Sequence, residues 1–156
     1  SAPTLLDLGR RTSALLIAGH LNHPSIPDDD LLGLASDFRE AGVIIDVSSL
    51  DMVHAQRLAT PGKADLLAES GLVDTLSTDY AGGTWEPMLA VAQRWRGRGW
   101  IDLRDVASLC ATRTAEILGL TDRGRIAPGQ RAHLVITDAG DLEQVRAVVI
   151  DGRRVL

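Results

Sequence analysis

Cysteine and lysine each occur once in these 156 residues, as Cys110 and Lys63, and long hydrophobic runs are missing. A single cysteine excludes an intrachain disulfide and any zinc site built from cysteines. A membrane-spanning helix needs roughly 20 apolar residues in succession, and no stretch of the sequence approaches that. Charge of one sign is not concentrated either. The chain has 16 basic and 21 acidic residues, a net −5, with the two signs interspersed. It therefore offers nucleic acid no basic patch. The hydrophobic share of 45% is that of a packed protein rather than a disordered one. The length suits one ordinary domain or a piece of a larger one.

What is present is a repeated strand–helix pattern. Residues 3–11 have weak helical character. Residues 13–19 are almost wholly apolar and end at Gly19, as in a parallel strand covered on both faces. A polar loop with His20 and His23 follows, and Asp28, Asp29 and Asp30 predict a helix start. Leu31, Leu32, Leu34, Ala35 and Phe38 give that helix an apolar face, and Gly42 stops it. Residues 43–47 predict a second strand, followed by Ser48, Ser49 and Asp51. A helix begins near Thr60 and Pro61 and ends at Gly71. Residues 72–76 predict a third strand, followed by Ser77, Asp79, Tyr80, Gly82 and Gly83 and a helix over about 86–96. Asp102 caps a further helix through Leu118, with Val106, Leu109, Cys110 and Ile117 inward.

After Gly119 the pattern changes. Residues 124–126 and 132–136 predict strands on either side of a turn at Pro128 and Gly129. Residues 145–150 and 153–156 flank Asp151 and Gly152, a strong two-residue hairpin signal. Alternating strands and helices imply parallel strands joined by crossovers. Three such strands cannot close a barrel, but in barrels the loops after the strands build the active site. Here those three loops are all polar.

Two stretches carry a family resemblance. The first joins ALLIAGHLNH at 14–23, GVIIDVSSLD at 42–51 and LSTD at 76–79. It resembles strands six, seven and eight of the amidohydrolase superfamily, especially isoaspartyl dipeptidases, dihydroorotase-like enzymes and N-acyl-amino-acid deacylases. The second, GRIAPGQRAHLVI at 124–136 with VIDGRRV at 149–155, resembles the segment that returns to a small β-sandwich beside the barrel. The resemblance implies the last three strand–helix units of a (β/α)8 TIM-like barrel in residues 1–118, and part of that β-sandwich in 119–156.

It also implies roles. His20 matches the histidine that ligates a metal from the end of strand six. Asp79 matches the strand-eight aspartate, which contacts metal and takes a proton from the attacking water. Imidazole and carboxylate suit a divalent cation, zinc above all, which lowers the pKa of bound water. One or two ions are implied for a full-length enzyme, and this chain alone could hold none. His23 falls where isoaspartyl dipeptidases place a substrate-binding arginine, a departure that puts that substrate in doubt. Ser49, Tyr80 and Gly82 complete the expected substrate-facing set.

Other departures limit the chain on its own. The family's His-x-His pair is missing, since no two of His20, His23, His54 and His133 are separated by one residue. Lys63, at a helix start, is poorly placed to act as the family's bridging lysine. His133 stands where the C-terminal segment usually has an aspartate.

The blander readings are specific. A lone histidine after a strand is usually structural, Asp79 could cap a turn, and His54 and His133 read as surface residues. Cys110 reads as a small buried hydrophobe. Ser48 and Ser49 have no general base nearby in sequence, and Gly82 and Gly83 are a weak phosphate signal.

The reading is therefore part of a metal-dependent amidohydrolase cleaving a small-molecule amide or related C–N bond. The expected partners are a missing N-terminal barrel half and further copies in a homo-oligomer, with no nucleic acid and no membrane, in the cytoplasm. The alternative is a catalytically incomplete fragment or half-barrel subunit. A free-standing α/β binding module is disfavoured by its uncovered strand edges.

Overall fold

A computed structural model describes residues 1–49, 61–79 and 87–156. Asp51, His54, Tyr80, Gly82 and Gly83 lie outside the described residues. The chain is mixed α/β and divides into two compact units, 1–88 and 89–156. Among the described residues no helix is long and apolar enough to cross a membrane.

The first unit runs α1 (Ala2–Arg11), β1 (Ile17–Ala18), α2 (Leu31–Glu40), β2 (Ile44–Ser48), α3 (Pro61–Glu69) and β3 (Thr75–Ser77). The strands form one parallel sheet in the order β1-β2-β3. Helix α2 stops at Gly42, whose φ of 75° is left-handed. There the Val43 and Gly42 N–H groups donate to the Phe38 and Arg39 carbonyls, at 2.9 and 3.0 Å. Glycine takes that conformation without a Cβ penalty, and the chain leaves directly into β2. The same two bonds close α3 at Gly71 and Leu72.

Register sorts the sheet's residues onto two unlike faces. Ala18, Ile45, Val47 and Leu76 share one face and are buried, as are Leu31, Ala35 and Phe38 of α2 and Ala64 and Leu67 of α3. Burying each large side chain there contributes about 1.5–3 kcal/mol. The opposite face carries Asp46, Ser48, Thr75 and Ser77 beyond Ile17 and Ile44. This differs from the sequence expectation of strands apolar on both faces. The first strand is also shorter than residues 13–19, because Leu15 and Ile17 are about half exposed and lack a covering layer.

The triplet of aspartates does not cap α2 as expected. Asp30 occupies the N-cap without a side-chain cap bond. Asp28 turns to Lys63, with its Oδ1 3.0 Å from Nζ. Lys63, in the first turn of α3, is buried and also donates to the carbonyl of Ile26.

The second unit holds α4 (Met88–Gly97, counted from Leu89), α5 (Leu103–Ala107), a π-helical turn (Ser108–Thr112) and α6 (Arg113–Ile117). An antiparallel sheet of β4 (Leu134–Thr137), β5 (Val145–Ile150) and β6 (Arg153–Arg154) follows. Asp102 opens α5 as foreseen, in a reciprocal capping box with Asp105. The helix expected through Leu118 contains the π turn, so it winds one residue wider there. Ala92, Val106 and Leu142 form a core cluster that Leu89, Ile101 and Cys110 pack against. The β5–β6 hairpin turns at Asp151 and Gly152, both at positive φ, as a type I′ turn requires. Residues 124–126 are not a strand. The carbonyl of Gly124 accepts the Thr112 hydroxyl at 2.6 Å, and a Cβ on Gly124 would stand 2.5 Å from that of Ala115. The segment lies against the helix, which takes the carbonyl a ladder would use.

Candidate active site

The carboxyl ends of the three parallel strands bring together residues far apart in sequence. His20 follows β1, Ser49 follows β2 and Asp79 follows β3. The Nε2 of His20 lies 2.7 Å from Oδ2 of Asp79, the two side chains being 40% and 33% exposed. Both residues have left-handed backbones, φ 56° and 45°. For non-glycine residues that conformation costs roughly 1–2 kcal/mol each. Turning the chain back at the strand end is what points the two side chains at one another.

The surrounding bonds fix this rim. Asn22 is fully buried and bridges to β2, its Nδ2 donating to the Ser48 carbonyl and its Oδ1 accepting the Ser48 N–H, both at 3.0 Å. The Leu21 N–H donates to the Asp46 carbonyl at 3.1 Å. Ser49 is also fully buried, and its N–H donates to the Ser77 carbonyl at 2.8 Å, extending the ladder one residue past β2. His23 is exposed, with its ring turned onto its own loop. Its Nδ1 accepts the Ser25 N–H at 3.1 Å and lies 2.8 Å from the Ser25 hydroxyl. Tyr80 and Gly82 lie outside the described residues. His133 precedes β4 with its Nε2 3.2 Å from Asp151, and Cys110 is partly buried, its thiol pushed up to about 11 by burial.

Asp46 was not foreseen as a site residue. It sits mid-strand on β2, 8% exposed. Its carboxylate accepts the Thr75 hydroxyl at 2.7 Å and the Ser77 hydroxyl at 2.8 Å. Burial raises its pKa above the usual carboxylate value. The two hydroxyls, the charge of His20 and the His20 backbone N–H oppose that rise. A lone carboxylate inside an apolar, β-branched run was the available signal.

The donors suit a divalent cation in type. Imidazole nitrogen and carboxylate oxygen are ordinary zinc ligands. Their 2.7 Å separation is a hydrogen-bond length. Two donors sharing one tetrahedral zinc stand about 3.4 Å apart, so the pair must open slightly to admit an ion. Number is the constraint: among the described residues no group of three or more His, Cys, Asp or Glu could hold a metal. The chain thus fits such a group as a supplier of two ligands.

The sequence profile of the Amidohydrolase family matches residues 33–156, and the chain belongs to that family. The match takes in Asp46, Ser49 and Asp79 and begins after His20 and His23. Among solved structures, an amidohydrolase from Thermotoga maritima MSB8 aligns over 99% of this chain with a TM-score of 0.53 and 22% identity. That similarity is one of fold. The chain spans 45% of that relative's length. Comparison with curated proteins gave no match.

Proposed function

We propose that this chain is the C-terminal part of a metal-dependent amidohydrolase that cleaves an amide or related C–N bond of a small molecule. In this reading the parallel sheet is the last three strands of a (β/α)8 barrel, and the antiparallel sheet belongs to a β-sandwich. The carrying observation is the 2.7 Å approach of His20 to Asp79 at the carboxyl ends of two strands. His20 Nε2 and Asp79 Oδ2 would hold a divalent cation, most readily zinc, together with donors from outside the described residues. When bound, the ion supplies Lewis acidity and a water of lowered pKa.

The chain's own work is proton transfer and positioning. Asp79 Oδ1, the carboxylate oxygen left free when Oδ2 faces the cation, accepts a proton from the attacking water as the water oxygen bonds to the substrate carbonyl carbon. The same oxygen returns the proton to the leaving nitrogen as the C–N bond breaks. His23, exposed on the loop beside His20, is a substrate contact in this scheme. Ser49 belongs to the same rim, and Tyr80 and Gly82, outside the described residues, are substrate contacts by the family resemblance alone.

The test is amine release from a panel of N-acyl amino acids, with zinc content, on the natively expressed polypeptide. Asp79→Asn should lower kcat by roughly 10²–10⁴, the usual worth of a positioned general base, while the fold is retained. An unchanged rate overturns the assignment. The shortage of ligands favours one second reading, a subunit inactive until it meets a separate N-terminal half. Under that reading activity appears only when the two halves are mixed.

A further inference from the structure

Lys63 is the chain's single lysine, and the proton-transfer scheme gives it no task. It stands in the first turn of α3 with its side chain only 7% exposed. A buried ammonium is costly unless its N–H groups meet acceptors. Among the described residues its acceptors all come from residues 24–28, in the loop after β1. The Nζ donates to the Ile26 carbonyl, lies 3.5 Å from the Pro24 carbonyl oxygen and stands 3.0 Å from Asp28 Oδ1. Asp28 is 79% exposed, so the pair meets solvent through its carboxylate. From there main-chain bonds run back to the rim. The Ile26 N–H donates to the His23 carbonyl at 3.2 Å, and the His23 N–H donates to the His20 carbonyl at 2.9 Å. Two turns are thus set end to end, and Lys63 holds the carbonyl of the last residue. Pro24 stands second in the later turn, where its fixed φ suits the bend. The near end of the loop is fastened separately to β2, through Leu21 and Asn22. His23 lies between the two fastenings, and the turn that begins at His20 closes on it.

We propose that Lys63 is a positioning residue. Its ammonium clamps the loop after β1 onto α3 and so holds the His20–His23 turn at the carboxyl ends of the strands. The inference rests on the pairing of His20 with Asp79 as the working site. A purely packing role accounts less well for the arrangement. Ala64, Leu67 and Ala68 already give α3 a buried apolar face, and packing alone needs no donor. The acceptors that Lys63 meets belong to the loop, and none of the three lies on α3 itself. Apolar contact is also without direction, whereas hydrogen bonds to fixed oxygens set where the loop must stand.

The experiment is solution NMR on the metal-free chain. Its readouts are amide hydrogen exchange at His23 and Ile26, and the nuclear Overhauser effects between the His20 ring and Asp79 Hβ. Lys63→Met keeps a long, unbranched side chain and removes its donors. It should speed exchange at both amides about ten- to a hundredfold, the worth of one hydrogen bond to a charged group. The ring contacts should weaken with it, while far-UV circular dichroism stays that of the wild type. Asp28→Ala, at an exposed position, removes one acceptor and should give a smaller change in the same direction. Leu67→Ala is the control. It opens a cavity under the same helix and should lower the melting temperature while leaving both amides and the ring contacts in place.

Wild-type exchange at His23 and Ile26 in a folded Lys63→Met chain overturns the proposal. Faster exchange with the His20 ring contacts unchanged overturns it too, because the clamp then does not reach the site. If that variant does not fold, wild-type signals in Asp28→Ala overturn it. Equal changes in Leu67→Ala also overturn it, since the effect is then general loosening. Zinc content of the natively expressed polypeptide separates the two ideas. A wild-type protein that takes up no zinc counts against the metal reading, and leaves the clamp standing on the NMR data.

Discussion

Replacing Asn22 by alanine should destabilise the first unit more than the loss of one small polar side chain suggests. The side chain is fully buried and makes paired 3.0 Å bonds to the Ser48 N–H and carbonyl. Each bond contributes about 1 kcal/mol net, and a buried backbone group deprived of its partner costs about 1–3 kcal/mol more. Partial relaxation offsets some of this, which leaves roughly 2–4 kcal/mol. For a chain of this size that corresponds to a fall in melting midpoint of about 5–15 °C. Urea unfolding followed by far-UV circular dichroism measures it, and faster amide exchange at Ser48 locates it.

Asn22→Asp separates hydrogen bonding from shape. Its volume is unchanged, but an ionised oxygen would face the Ser48 carbonyl. The introduced carboxyl is stabilised only when protonated, so its folded pKa lies above its unfolded value. Stability is then highest below the unfolded value and declines as pH rises through the folded one. An Asn22→Ala chain within about 0.5 kcal/mol of wild type, the range of an ordinary surface change, refutes the argument.

Three further outcomes are expected. Gly9→Ala would place a Cβ 2.7 Å from the Ala41 carbonyl oxygen and 2.9 Å from Val43 Cγ2. The clash, about 1–3 kcal/mol, outweighs the gain of up to about 1 kcal/mol in helix propensity, and a lower melting temperature checks it. The Cys110 thiol, raised from 9.0 to about 11, should react with iodoacetamide at pH 8 about a hundredfold more slowly than an unshifted thiol, because the thiolate is the nucleophile. The matching stability contribution is full below pH 9 and fades toward pH 11. Lys63→Met should leave the Pro24 and Ile26 carbonyls without the buried ammonium and cost about 1–3 kcal/mol, read as faster proteolysis within the 20–30 loop.

Local signals gave the elements and missed the cross-links. Gly42, Gly71 and the Asp151–Gly152 pair marked their turns because each acts within a few residues, through φ alone. Asp102 marked a helix start for the same reason. The apolar run 13–19 misled, since its composition cannot say whether a neighbouring layer exists to cover Leu15 and Ile17. Asp46 escaped because its partners stand 29 and 31 residues away on another strand. Lys63 looked like an ordinary helix-start residue because its partners, Asp28 and the carbonyls of Pro24 and Ile26, stand 35 to 39 residues earlier in the chain. His20 and Asp79 are 59 residues apart. Strand topology put them at one rim, and the family resemblance gave them roles.

The left-handed backbones of His20 and Asp79 set selection for stability against selection for chemistry. Glycine or asparagine would occupy φ 56° and 45° at lower cost than histidine or aspartate. A library of variants screened for thermal resistance alone should therefore drift toward those residues at positions 20 and 79 and arrive at a sturdier, inert protein. Retention of histidine and aspartate there under such pressure would mean that the turn itself prefers them.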